Sequence, residues 1–116
     1  LLAYSPLAGG LLTGKYLNEN MPHDSRMTRV STIGDRVNKN AMKAVQEYMK
    51  ISKKFNIHPV HLALAFCTKR PFMGSVIFGA TTDEQLDVVI KGLDVDLNDE
   101  IMKEISLVYK NYALTF

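Results

Sequence analysis

Two short apolar runs limit what this chain can fold into. Leu1-Leu2-Ala3-Tyr4 ends at Ser5-Pro6, and Ser75-Val76-Ile77-Phe78 ends at Gly79. Each run suits a short buried strand, and each is closed by a residue that stops one, because proline cannot donate to a ladder and glycine opens a turn. Between them, Ala41, Ala44, Val45, Tyr48, Ile51 and Phe55 repeat at helical spacing, with Asn56 as the stop. Pro59 opens a second helix in its first turn, where a missing N–H costs nothing. That helix runs through Val60, Ala63, Leu64 and Cys67 to the region of Arg70, and Pro71 ends it. After the second strand, Thr82-Asp83-Glu84-Gln85 has the form of a capping box, with Thr82 and Gln85 capping each other. Leu86, Val89, Ile90 and Leu93 are expected to form one helical face. Asn98 caps a last helix that turns Ile101, Ile105 and Val108 inward.

Strands that alternate with helices imply an α/β fold with a parallel sheet. Two parallel strands by themselves would both be bare edges. The simplest repair is that further β/α units precede Leu1. The opening in mid-apolar run, on Leu rather than Met, fits that expectation, since native termini are usually polar and loosely held. Asn18 to Asn40, which includes Pro22 and Gly34, shows no period and is expected to be a long loop.

Composition narrows the function classes. The chain is 47% hydrophobic and 22% charged, enough to build a core. A net charge of +2 without a dense Lys/Arg block argues against nucleic-acid and membrane-surface partners. No apolar run is long enough to span a bilayer, and Leu1-Leu2 lacks the charged flank of a signal peptide. Cys67 is the sole cysteine, so neither a disulfide framework nor a cysteine zinc site can form within the chain, and a cytoplasmic location fits.

The chemistry gathers after the two strands. Ser5, Gly9, Gly10 and Lys15 combine a hydroxyl, close main-chain approach and a cation, which suits a phosphate. The full Walker spacing is absent. Gly79-Ala80-Thr81-Thr82 leads into a helix N-terminus, which also favours anions. In (β/α)8 barrels a phosphate site often forms from the loops after the seventh and eighth strands.

At these residues a family resemblance appears. Tyr4-Ser5-Pro6-Leu7 running into Gly10-Leu11-Leu12-Thr13-Gly14-Lys15-Tyr16 looks like the seventh strand and following loop of the aldo-keto reductases. Phe78-Gly79-Ala80-Thr81 with Gln85-Leu86 looks like the last strand and helix of that family, and Pro59 to Phe66 resembles the helix between. The bacterial members and the potassium-channel beta-subunit branch are most similar. The resemblance implies that residues 1–116 are the C-terminal part of a (β/α)8 TIM barrel: its last two β/α units and a C-terminal helix. It further implies an NADP-dependent oxidoreductase that reduces aldehydes or ketones, with a small carbonyl substrate.

Carried over residue by residue, Tyr4 matches the aromatic residue that stacks on the nicotinamide. Ser5, Pro6 and Leu7 match the strip along the cofactor phosphates, and Gly9 a contact there. Lys15 and Arg26 match basic residues of the segment folded over the cofactor. Gly79, Thr81 and Gln85 match the site around the adenosine and its 2′-phosphate. The pattern departs at Val88 and Val89, where the family commonly has a polar pair, often Glu-Asn. This puts an adenine contact, and the choice between NADP and NAD, outside the match. The family's catalytic aspartate, tyrosine, lysine and histidine lie in the first half of the barrel, and none of those motifs occurs here. Tyr48, Tyr109 and Tyr112 sit on helical patterns and do not replace the tyrosine.

The scaffold also serves as a non-catalytic regulatory or binding protein, as the channel beta subunits illustrate. The segment around Asn56-Ile57-His58-Pro59 superficially resembles a helix-turn-helix, but Val60, Leu62, Ala63, Leu64, Ala65 and Phe66 leave almost no polar face to read bases. His58 and His61 have i, i+3 spacing without an acidic partner nearby, so packing outweighs a metal site. His23 reads as a loop residue, Cys67 as packing, and the methionines as gap-fillers. Lys50, Lys53 and Lys54 read as a solvated helix face.

Overall fold

The ladder is short and parallel. Strand β1 (Leu2–Tyr4) pairs with β2 (Ser75–Ile77), placing Leu2 opposite Ser75, Ala3 opposite Val76 and Tyr4 opposite Ile77. The computed structural model describes residues 1–30 and 37–113. Within them, 3-10 turns at Ala8–Thr13 and Leu17–Glu19 follow β1. Helices α1 (Arg26–Arg29), α2 (Lys39–Lys54) and α3 (Pro59–Thr68) lead to β2, and α4 (Asp83–Lys91) and α5 (Asp99–Asn111) come after it.

Local chemistry sets the boundaries. Asn38 Oδ1 accepts from Ala41 N–H at 2.9 Å and starts α2. Asn56, with φ of 51°, takes the left-handed conformation that ends helices. The Ser52 hydroxyl donates to the Ile57 carbonyl, and Ile57 N–H returns a bond to the Ser52 carbonyl at 2.9 Å, so the turn into α3 is doubly tied. His58 Nδ1 then accepts from Val60 N–H at 3.2 Å, giving α3 a histidine cap ahead of Pro59. The helix stops at Thr68 rather than Arg70, because Arg70 already belongs to a turn closed by Met73 N–H on its carbonyl. Asn98 caps α5 through Ile101 N–H at 2.9 Å.

Three apolar clusters hold these elements. Ala44 and Ile51 of α2, Leu62 of α3 and Ile101, Ile105 and Val108 of α5 form the main one. Leu11, Tyr16 and Val45 bind the loop after β1 to α2, with Met27, Met42 and Met49 filling around them. Val60, Leu64 and Val89 join α3 to α4 and take in Val76 from the sheet. Val60, Leu62, Leu64 and Ala65 of α3 are buried among these elements.

Some expectations need correction. The Asn18 to Asn40 stretch contains the last two residues of the second 3-10 turn, all of α1 and the start of α2; residues 31–36, with Gly34, lie outside the described residues. Pieces this short cannot display a period. On α4 only Val89 is buried, whereas Leu86, Ile90 and, just beyond the helix, Leu93 are exposed, because among the described residues α4 is covered on one face, by α3 with Leu7 and Val76. Lys54 is not merely solvated: it reaches Glu100 at 3.4 Å and Glu104 more closely, linking α2 to α5, while Lys50 pairs with Glu47 at 2.6 Å. Among the described residues no helix is long and apolar enough to cross a membrane.

Candidate functional site

Because the strands run parallel, the loops that leave them emerge at the same edge. Ser5 N–H donates to the Ile77 carbonyl at 3.2 Å, carrying the pairing one residue beyond the ladder. Tyr4-Ser5-Pro6-Leu7 and Phe78-Gly79-Ala80-Thr81 therefore leave side by side. The strand period of two separates the faces. Ala3 and Val76 are half-buried, Val76 against Val60, Leu64 and Val89 of the helices. Leu2, Tyr4 and Ile77 alternate with them and are 66%, 79% and 54% exposed. Tyr4 thus belongs to none of the cores; with Ile77 opposite it, it ends an open apolar face at the edge where both loops depart.

The loop after β1 is tighter than an open glycine cradle. Ser5 and Ala8 are left-handed at φ of 56° and 49°, and Gly9 and Gly10 follow at 68° and 98°. Ala8 N–H bonds the Ser5 carbonyl at 2.9 Å, and Gly10 and Leu12 N–H bond the Leu7 carbonyl at 2.9 and 3.2 Å. These three amides are committed within the loop. Leu7 turns its side chain to the Val60–Leu64–Val89 cluster, so this position offers a ligand mainly backbone. Gly10 has a packing reason as well: a β-carbon there would stand 3.1 Å from Lys15 Cε.

Lys15 folds back over that glycine, with its ammonium 5.1 Å from the centre of the Tyr16 ring. Tyr16 is buried, and its hydroxyl accepts from Met27 N–H at 3.4 Å. Burial works to raise the Tyr16 phenol, but the hydrogen bonds to Ser25 and Met27 and the nearby Lys15 charge outweigh it and hold the pKa below its ordinary value. Arg26, next to Met27, is exposed and has no carboxylate partner among the described residues. Arg29, one turn on, is taken by Asp24 at 2.5 Å. The fold therefore brings Lys15 and the residue beside Arg26 onto one aromatic side chain. Sequence reasoning does not single out Tyr16; its one signal is that an aromatic follows Lys15 in an otherwise aliphatic and glycine loop.

The second loop carries Gly79, Thr81 and Gln85, all exposed. A β-carbon at Gly79 would meet nothing within 4 Å, and its backbone is not left-handed. Among the described residues no packing contact requires glycine there. The capping box is one-sided: Thr82 Oγ1 accepts from Gln85 N–H at 3.2 Å, but Gln85 Oε1 takes Thr81 N–H and Oγ1–H at 3.0 and 3.1 Å instead of reaching Thr82. Asp83 and Glu84 occupy the first turn of α4 and offset its positive end, so fixed cationic charge comes from Lys15 and Arg26. Val88 and Val89 face α3: Val89 is 3% exposed, and the Val88 carbonyl meets His61 Nε2 at 2.7 Å.

The other candidates take structural places. The His58 and His61 rings lie 5.0 Å apart, tilted by 42°, but His58 Nδ1 caps α3 and His61 Nε2 meets α4. The described residues hold no cluster of three His, Cys, Asp or Glu suited to a metal. His23 lies exposed in a turn. Cys67 is half-buried, and burial raises its thiol pKa, which opposes reactivity. Tyr48 packs against the main core, where burial and then Tyr109 raise its pKa; Tyr112 packs nearby and Tyr109 is exposed.

The profile of the aldo/keto reductase family matches residues 1–110. Protein tas of Escherichia coli is 39% identical over 113 residues, covering 97% of this chain and 33% of that protein. A probable voltage-gated potassium channel subunit beta of Oryza sativa is 34% identical over 116 residues, covering 96% and 35%. L-glyceraldehyde 3-phosphate reductase of Escherichia coli is 34% identical over 104 residues, covering 80% and 28%. The chain spans about a third of the length of the curated relatives it matches.

Proposed function

Because the chain belongs to the aldo/keto reductase family, we propose that residues 1–116 are the cofactor-binding C-terminal portion of an NADPH-dependent oxidoreductase that reduces aldehydes or ketones. In this reading they are part of a single (β/α)8 barrel domain in the cytoplasm, and the proton-donating machinery lies in preceding β/α units. The observation that carries the proposal is the parallel pairing of β1 with β2, which sets Tyr4 and both glycine-bearing loops at one edge of the sheet. Ligands of such barrels bind at the C-terminal ends of the strands.

The residues fit a dinucleotide. The exposed ring of Tyr4 offers an apolar platform for a flat heterocycle. Ser5, the backbone along Pro6, Leu7 and Gly9, and the cations Lys15 and Arg26 suit phosphate oxygens. The space around Gly79 admits close approach, and Thr81 and Gln85 can orient ribose or 2′-phosphate. NADPH, when bound, would supply the hydride for carbonyl reduction. Tyr4 would hold the ring, and Lys15 and Arg26 would offset the phosphate charge.

Titrating the full chain that carries residues 1–116 with NADPH, followed by turnover of a short aldehyde, tests this. Saturable binding that Tyr4→Ala weakens roughly two- to tenfold is expected from one aromatic contact. Absence of NADPH binding would overturn the proposal. A second reading, a regulatory subunit on the same scaffold, draws on the likeness to the channel beta subunit. Binding of NADPH without turnover of any aldehyde or ketone would favour it.

A further inference from the structure

Tyr16 touches both halves of the basic segment. The face of its ring carries the Lys15 ammonium, 5.1 Å from the ring centre, and its hydroxyl carries Met27 N–H at 3.4 Å. Met27 is the second residue of α1, and Ser25, at the N-cap position, makes no side-chain cap bond of its own. The Tyr16 hydroxyl thus does from eleven residues away what a cap usually does locally. The side chain is 3% exposed and packs with Leu11, Val45 and the methionines around them, so the hydroxyl projects from a packed ring. A four-residue helix has little stability of its own, and its placement depends on such a tether.

We infer that Tyr16 is a positioning residue, whose hydroxyl holds α1 so that Arg26 works together with Lys15 on the phosphates of a dinucleotide. The inference rests on the proposed cofactor reading. Lys15 lies against the bare α-carbon of Gly10 and the Tyr16 ring, whereas the polar tie from Tyr16 to α1 runs through its hydroxyl, to Met27 N–H and to Ser25. Removing the hydroxyl leaves Lys15 in place and loosens the placement of Arg26. Two oriented cations bind an anion better than one oriented and one mobile, because the ordering entropy of the second is then lost on binding.

The experiment is a double-mutant cycle on NADPH affinity in the full chain, using Tyr16→Phe, Arg26→Ala and both together, at low and high salt. Tyr16→Phe keeps the ring, its packing and the Lys15 contact. The expected result is affinity roughly tenfold weaker, the worth of one charge-assisted hydrogen bond, with a shallower salt dependence. The double variant should be no weaker than Arg26→Ala alone, because Tyr16 acts through Arg26. Tyr16→Phe binding as tightly as the parent, or losses that simply add, would overturn the inference while leaving the cofactor reading intact. Loss of the fold on Tyr16→Phe would assign the hydroxyl a purely structural role and also overturn it. A parent chain that does not bind NADPH would remove the cofactor reading and this inference together.

Discussion

His61 occupies the space that a side chain at Gly92 would need. Its Cδ2 lies 2.6 Å from where a β-carbon on Gly92 would sit, while its Nε2 meets the Val88 carbonyl at 2.7 Å. One imidazole thus fixes both the distance and the register between α3 and α4, and α4 carries Gln85 into the candidate site. Gly92→Ala should cost about 1–3 kcal/mol by overpacking. The check is the denaturant midpoint of the full chain; an unchanged midpoint would show that α4 can shift without loss.

Gly79 contrasts with Gly92. It is exposed, its backbone suits any residue, and an added methyl meets no atom within 4 Å. Gly79→Ala should therefore change stability by no more than about 0.5 kcal/mol, as for an ordinary surface substitution. If the open space is filled by ligand, NADPH affinity should nevertheless fall. Calorimetric titration beside a melting curve separates the two effects, and intact affinity would remove Gly79 from the site.

The cap on α3 makes stability depend on pH. Burial, and then the neighbouring His61, lower the His58 pKa below its ordinary 6.5. The folded state binds this proton less readily than the unfolded state. The stabilising contribution is present above pH 6.5 and is lost as pH falls through the depressed folded value. Protonation also removes the Nδ1 lone pair that accepts Val60 N–H. Chemical denaturation between about pH 7.5 and 5 should show a loss that His58→Asn, which can cap without titrating there, reduces. An identical pH slope in the variant would assign the loss to other groups.

Residues 1–116 by themselves should be poorly stable or aggregating. Leu1, Leu2, Tyr4 and Ile77 lie exposed on or beside a two-stranded sheet, and Leu86, Ile90 and Leu93 extend the uncovered apolar surface to α4. Purified residues 1–116 should bind a hydrophobic dye and lack reductase activity. A sharp, reversible, concentration-independent melting transition would contradict this.

The sequence by itself determined the two strands, the four longer helices and their order. Punctuation by Pro6, Asn56, Pro59, Pro71, Gly79, Thr82 and Asn98 acts through local sterics and hydrogen bonds, so it is legible without a fold. The stripe Ala41, Ala44, Val45 and Ile51 was equally legible, because one buried face imposes the helical period. The candidate site was visible as two strand-ending loops whose residue types suit a dinucleotide. Tertiary structure decided the rest. The strand register put Tyr4 opposite Ile77 on the open face. Distant contacts made Tyr16 the hub between Lys15 and Met27, matched Gly92 to His61, and left Leu86 and Ile90 uncovered where periodicity had placed them on a buried face. Periodicity reports which residues can share a face, but what covers that face depends on chain segments far away in sequence.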